Sequence, residues 1–393
     1  MRNVDVVIVG GGLAGSAAAV LLGRAGIPAL VVDPHTVYPP DFRCEKFGGG
    51  QLDVIRRAGL SDVILPATTP DGETWIARYG RVLDRRPGDQ RGIRYEDLVN
   101  TIRAAIPPQT PFVDGKAAGI ATSDDRQLVT LADGETISAR LVVLATGLNI
   151  GLRHQLGIER TVISACHSIT IGFDIAAVGR AAFPFRALTY YPESPSYRMA
   201  YLTLFPIGAA MRANLMVYRD MDDPWLRAMR QTPEDALREI MPGLERTIGA
   251  FTVNGPVKIR PADLYVTSGH RQAGIVLVGD AFCTSCPAAG TGTDKVFTDI
   301  ARLCQVHIPQ WLATPGMNAD KIAAFYNDPA KTGNDRRCEE AAFNLRDLSV
   351  NPGLPWRVRR GIRFAARLAT GLFRRWRGGP TVQLSSRGAH HYS

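Results

Sequence analysis

DVVIVGGGLAGSAAAVLLGRAGIPALVVD, residues Asp5 to Asp33, is the stretch whose reading decides the fold. Asp5 to Val9 is a short β-branched run, as expected of a strand buried on both faces of a parallel sheet. Gly10, Gly12 and Gly15 follow in G-x-G-x-x-G spacing, and Leu13 to Ala25 reads as a helix rich in Ala and Leu. Ala29 to Val32 is a second apolar run, closed by Asp33, 18 positions beyond Gly15. Each part has a physical job. Gly10 permits a tight turn, Gly12 lets a pyrophosphate approach bare backbone, and Gly15 lets helix and strand pack closely. The helix start at Leu13 and Ala14 offers unpaired N–H groups and a partial positive charge to phosphates. Asp33 is placed to accept hydrogen bonds from a ribose diol. Strand, glycine turn, helix, strand and acid together indicate a dinucleotide site.

Outward from that unit, 393 residues exceed one ordinary core, so two domains are expected, interleaved in sequence. A hydrophobic content of 45% against 21% charged describes an ordered globular chain. No apolar run approaches the roughly 18–20 residues of a membrane span. Residues 1–9 lead straight into the first strand and leave no room for a signal peptide. Six scattered cysteines do not form a disulfide framework, which suits a cytoplasmic protein. The seven histidines show no metal-ligand spacing, so no metal is expected. The net charge of +9 is confined to the end of the chain: after Asp347 there are nine arginines, no lysine and no acid. A neutral body without a reader fold argues against nucleic acid as a partner.

Beyond Asp33, the segment from Tyr38 to Gly50 is a Pro- and Gly-containing loop beside the expected cofactor, where Arg43 could neutralise a pyrophosphate. Gln51 to Ala58 and Arg94 to Ala105 have helical spacing, and residues 61–93 between them carry little signal. Gln127–Leu131 and Thr136–Leu144 read as strands joined at Asp133-Gly134, the second running on to Gly147. Between 160 and 220, short β-branched and aromatic segments predict a mostly antiparallel sheet. In it Tyr190, Tyr191, Tyr201 and Tyr218, with Phe205 and Pro206 beside them, either line an aromatic pocket or simply fill a core. Pro206 marks an edge or bulge of its strand. Helices over 224–250 and a strand over 253–266 follow. Gly274 to Gly279 returns to the first domain as a buried strand, leading to Asp280 and then to Pro287, Gly290, Gly292, Thr293 and Asp294 before another helix.

This pattern resembles the FAD-dependent monooxygenase family of the p-hydroxybenzoate hydroxylase type, whose relatives include flavin-dependent halogenases and geranylgeranyl reductases. The resemblance spans about residues 4–305 and implies roles for the motifs quoted above. Gly10, Gly12, Gly15 and Asp33 form the ADP-binding element, Arg43 lies beside the FAD, and Arg94 opens the family's arginine-headed helix. Asp280 would hold the ribitol, and the backbone around Pro287, Gly290, Gly292 and Thr293 would face the isoalloxazine. Gly147 belongs to a middle motif that departs from the family, with Thr146 for aspartate and Ile150 for serine, while Arg153 is kept. Asp294 stands where the family usually has asparagine. Either NAD(P)H or a separate flavin reductase is therefore the expected electron donor. No W-x-W-x-I-P stretch supports a halogenase. Cys283 and Cys286 could form a dithiol or merely flank the loop.

The expected fold class is α/β: a Rossmann-like FAD-binding domain (1–158 and 267–310), an inserted, mostly antiparallel β-sheet substrate domain (159–266), and a C-terminal helical region (311–393). The expected activity is FAD-dependent hydroxylation or epoxidation of an apolar or aromatic small molecule through a flavin C4a-hydroperoxide. The alternatives are a double-bond reductase or oxidase acting on a lipid-like substrate, and a flavin carrier without catalysis. In residues 356–377, Val358, Ile362, Ala365, Ala369, Leu372 and Trp376 form one helical stripe. Arg359, Arg360, Arg363, Arg367, Arg374 and Arg377 lie opposite, and Phe364 alone is out of place. Such a helix either docks on the body with its arginines in water, or lies in an anionic membrane interface on the inner membrane face, or meets an acidic partner.

Overall fold

The computed structural model describes residues 1–376. Strand Arg2–Val9 lies between Ala29–Asp33 and Thr136–Leu144, all parallel, with Phe112–Asp114 outside Ala29–Asp33. Val6, Val7 and Ile8 are fully buried because helices cover both faces of this sheet. Thr136–Leu144 changes partner midway. Residues 136–139 pair antiparallel with Gln127–Leu131, whereas 142–144 pair parallel with Ile275–Leu277. The returning segment thus lays Gly279 and Asp280 at the same carboxyl edge as Gly10 and Ala145, where open α/β sheets bind ligands. Helix Leu13–Arg24 is buried along nearly its whole length, and its small residues Ala17, Ala18 and Ala19 allow that close packing.

The second sheet has seven strands in the order Phe251–Ser268, Glu159–Ala177, Ala210–Val217, Met199–Ile207, Ala187–Tyr190, Glu73–Arg78 and Arg81–Pro87. All pairings are antiparallel except that of Ala187–Tyr190 with Glu73–Arg78. Ile171, Phe173, Leu204 and Leu215 on one face meet Trp225, Leu237 and Ile240 from the following short helices, which makes a separate core. Residues 73–87 correct the sequence reading. They are a hairpin rather than irregular chain, and they extend the second sheet although they fall within 1–158. Their turn, Tyr79-Gly80, has φ of 55° and 68°, the positive pair that a two-residue type I′ turn requires. Pro206 lies inside its strand, beyond the last pairing with Ala187–Tyr190 at Leu204, so its missing N–H faces no partner strand.

Helix Gly292–Arg302 runs through one π-helical turn, Leu303–His307, into Ile308–Leu312. Helix Pro329–Val350 is fastened to it by a buried charge network. Lys295 Nζ donates to Asp299 (3.1 Å) and Asp335 (2.6 Å), and Lys331 Nζ reaches Asp335 (2.7 Å) and Asp299 (3.3 Å). Two cations and two carboxylates balance, so their burial is tolerated.

The terminal helix, Leu354–Trp376, packs across strand Arg81–Pro87 with the opposite face to the one expected. Gly371 sits where a Cβ would lie 1.9 Å from the Leu83 carbonyl oxygen. Arg360, Arg363, Phe364 and Arg367 point toward the body, while Leu354, Val358, Ile362 and Leu372 are 52–70% exposed. The helix docks, but its arginines do not stay in water. Phe364, the residue out of place on the polar face, packs edge-on against Tyr79. Arg377 and the side chains of Arg374 and Trp376 lie outside the described residues.

Lys331→Met would leave Asp299 and Asp335 sharing one cation. It is expected to lower unfolding stability by about 3–5 kcal/mol, read as the urea midpoint, with exposed Arg336→Met as the neutral control.

Candidate cofactor and substrate site

The glycine turn is built as its spacing demands. Gly10 has φ +105° and a Cβ there would lie 2.5 Å from the Ala145 carbonyl oxygen; one at Gly15 would lie 1.8 Å from the Gly10 oxygen. Both positions are closed by polypeptide. Gly12 is different: φ is −71°, and a Cβ there would meet only Tyr38, at 4.0 Å. The open space over Gly12 lies at the start of helix Leu13–Arg24, which has no side-chain cap, so the first N–H groups, from Leu13 and Ala14 onward, face it unsatisfied by the helix. Asp33 braces the turn: its carboxylate accepts from the Gly11 N–H (2.7 Å) and the His35 N–H (3.0 Å). Arg103, which the sequence reading passed over, donates to the Gly11 carbonyl (2.8 Å) and lies 3.3 Å from Asp33.

Arg43 and Asp280, 237 residues apart, meet at 2.8 Å. Arg43 also donates to Asp41 (2.6 Å), which in turn accepts from Arg260 (2.8 Å) of the second sheet. Burial would raise the Asp41 carboxyl, but Arg43 and Arg260 hold it below its usual value. Arg94 pairs with Asp174 (2.9 Å), and Asp174 also accepts from Arg212, whose buried guanidinium holds Glu45 at 2.7 Å. Arg94 therefore ties the first domain to the second sheet. Arg153 is buried and donates to the Ala281 carbonyl (2.9 Å), fixing the chain just past Asp280.

The Pro287 loop completes the cleft. Gly290 (φ +70°) and Gly292 have nothing within 4 Å of a Cβ position. Helix Gly292–Arg302 also starts without a side-chain cap, and Val296 in its second turn lies near Ala14 across Gly279. Gln51, another residue the sequence reading missed, clamps the loop through Gly290 O (2.6 Å) and Thr293 Oγ1 (2.5 Å). Two uncapped helix starts thus approach each other across Gly279, and three glycines near them leave open space over their backbone, an arrangement that fits a dinucleotide bearing an anionic ring edge. Gly147 (φ +58°) sits at the neighbouring strand end, followed by exposed Leu148 and Ile150. Burial pushes the Asp294 carboxyl up to about 6, so it takes up a proton more readily than a free carboxylate. Cys283 and Cys286 are unpaired and burial raises both thiols, so neither is an activated thiolate.

Beside Ala288 and Ala289 of the loop lies a cavity of about 330 Å³ under the second sheet, walled by the terminal helix. Tyr201 lines it and donates its hydroxyl to the Ala288 carbonyl. Most of the other expected lining residues are placed elsewhere. Tyr190 is fully buried and bonds Glu193 (2.6 Å), Phe205 is buried under Lys46, and Pro206 lies near the far hairpin. Tyr191 lines the wall as well, whereas Tyr218 is buried.

Residues 3–113 match the family described as FAD binding domain. The chain is 26% identical over 331 residues to 3-demethoxyubiquinol 3-hydroxylase of Escherichia coli (strain K12), covering 78% of this chain and 80% of that one. It is 25% identical to aklavinone 12-hydroxylase DnrF of Streptomyces peucetius subsp. caesius, over 74% of this chain and 64% of the relative. The chain is an FAD-dependent oxidoreductase, similar over most of its length to flavin-dependent hydroxylases. The enzyme's fold matches the crystal structure of p-nitrophenol 4-monooxygenase PnpA from Pseudomonas putida DLL-E4, with a TM-score of 0.69 at 15% identity, covering 94% of this chain and 95% of that one. In sequence the chain is also similar to squalene monooxygenase of Mus musculus, 23% identical over 76% of this chain but only 54% of the relative.

Gly12→Val, allowed at negative φ, is expected to purify folded but without the flavin's visible absorbance band. Gly15→Ala is expected to lose the fold as well, read by circular dichroism. Stoichiometric FAD in Gly12→Val would place the pyrophosphate elsewhere.

Proposed function

We propose that this enzyme inserts oxygen into an apolar or aromatic small molecule, as a hydroxylase or epoxidase, in the cavity beside the Pro287 loop. The reading is carried by one observation: the loop whose Gly290 backbone is open also lines the cavity, through Ala288 and Ala289. Gly10, Gly12, Leu13, Ala14 and Gly15 would hold the pyrophosphate, Asp33 the adenosine ribose, and Asp280 the ribitol, with Arg43 supplying positive charge. Pro287, Gly290, Gly292 and Thr293 would present backbone to the isoalloxazine, positioned by Gln51. Arg94 and Gly147 would support the site from the domain seam and the neighbouring strand end. Bound FAD supplies the two-electron and oxygen chemistry. The polypeptide orients the substrate against the loop through Tyr201, and the terminal helix excludes water from the cavity.

The electron donor is NAD(P)H or a separate flavin reductase. Thr146, in place of an acidic residue, and the exposed apolar pair Leu148 and Ile150 support delivery by a partner protein. A second reading, a double-bond reductase or oxidase on a lipid-like substrate, is favoured by the outward stripe of the terminal helix. Among the described residues no helix is long and apolar enough to cross a membrane. The stripe Leu354, Val358, Ile362 and Leu372 adjoins an acid-free, arginine-bearing chain end, which suits peripheral contact with an anionic lipid surface on the cytoplasmic face.

Anaerobic mixing with NADPH, NADH or a flavin reductase, followed by isotopically labelled dioxygen and candidate substrates, tests the chemistry. Label in the product is expected. Peroxide without label indicates an oxidase, and substrate reduction without oxygen uptake a reductase. The membrane arm is sedimentation with phosphatidylserine-containing vesicles. Wild-type protein is expected to co-sediment, and Ile362→Glu with Leu372→Glu to stay in solution; dimerisation of wild type without vesicle binding would assign the stripe to a second copy.

A further inference from the structure

The cavity wall carries a charge pattern that an apolar substrate alone does not explain. Lys46, Arg78, Arg360, Arg363 and Arg367 all line it, and among the described residues no aspartate or glutamate does. These cations come from three separate parts of the chain: the loop after the second strand, the hairpin 73–87 and the terminal helix. Several are also poorly compensated. Arg78 donates to the Pro192 carbonyl (2.8 Å), and Arg360 to the carbonyls of Leu348 (3.2 Å) and Asn351 (2.9 Å). Arg367 stacks 3.9 Å from the Tyr191 ring centroid and donates to its hydroxyl. All these partners are neutral. Burial weakens the Arg78 cation, and the Arg367 charge beside it does the same. Burial also draws the Lys46 ammonium down to about 8.

An amphipathic helix that turns its arginines inward and its leucines into solvent has reversed the arrangement that burial energetics favours. Neutral carbonyls and one aromatic ring offset part of that cost. A bound anion would offset more, because guanidinium groups pair with carboxylate and phosphate through short, charge-assisted bonds.

We propose that the substrate carries an acidic headgroup, a carboxylate or a phosphate, and that Arg360 and Arg367 of the terminal helix, with Arg78 opposite, select it. The apolar body of the substrate then lies toward Tyr201 and Ala289, and the headgroup toward the helix. This rests on the reading of the adjoining cleft as the flavin site. The terminal helix becomes a specificity element, and its inward arginines set which apolar molecules enter.

The test uses the FAD-loaded enzyme and calorimetric titration with 2-naphthoate, 1-naphthyl phosphate and the neutral 2-naphthamide. At least one anion is expected to bind tenfold or more tightly than the amide, with affinity falling as salt rises. Arg360→Gln and Arg367→Gln are expected to weaken that anion about tenfold each while leaving the amide affinity and the thermal midpoint within error. Exposed Arg336→Gln should change nothing. Equal affinity for acid and amide, no saturable binding of either anion, or equal loss of both ligands in the variants would overturn the proposal. A colourless protein that still prefers the anion would sink the flavin reading and leave the anion site standing; a yellow protein without the preference would do the reverse.

Discussion

One guanidinium joins the pieces from which the cleft is made. Arg43 leaves the loop after the second strand, reaches Asp280 at the end of the returning strand, and holds Asp41, which in turn holds Arg260 of the second sheet. Three segments distant in sequence are thereby fixed around one opening. The chain of charges alternates in sign, and each group is only partly exposed, so water screens the pairs less than it would on an open surface. A carboxylate left without its arginine here would repel the neighbouring carboxylate.

The seam between the two sheets uses the same device more deeply. Arg212 and Glu45 are almost fully buried and meet at 2.7 Å, and Asn214 donates to the same carboxylate at 2.9 Å. Asp174 then links Arg212 to Arg94. Charges of this kind contribute less to net stability than apolar packing would, but they tolerate few alternative geometries. A rigid seam keeps the cavity under the second sheet aligned with the glycine loop of the first domain. Gly172 adds to this, because a Cβ there would overlap the ring of Phe42.

The terminal helix shows how a periodicity can be right and its orientation still open. Its apolar and basic faces are plain in residues 356–377, but the pattern alone does not say which face meets the protein. The inward face is set by what already lies there: the Leu348 and Asn351 carbonyls, the Tyr191 ring and the Leu83 backbone against Gly371. Phe364 was the local sign, an aromatic ring on a face that water alone would not keep.

The sequence by itself determined the glycine turn, the paired strands Gln127–Leu131 and Thr136–Leu144, and the return of the chain at Asp280. These rest on short-range chemistry: bare backbone at Gly10 and Gly15, alternation of apolar residues, and a turn at Asp133-Gly134. Residues 73–87 escaped because their turn is Tyr79-Gly80 rather than a common hairpin pair, and because Arg81–Pro87 carries arginines that look like loop. Only the tertiary structure decided that Tyr190 and Phe205 are core while Tyr201 is wall, that Gln51 clamps the loop, and that the arginines of the last helix surround a cavity. Each of those outcomes depends on groups brought together from distant parts of the chain, and local sequence carries no record of what it will be packed against.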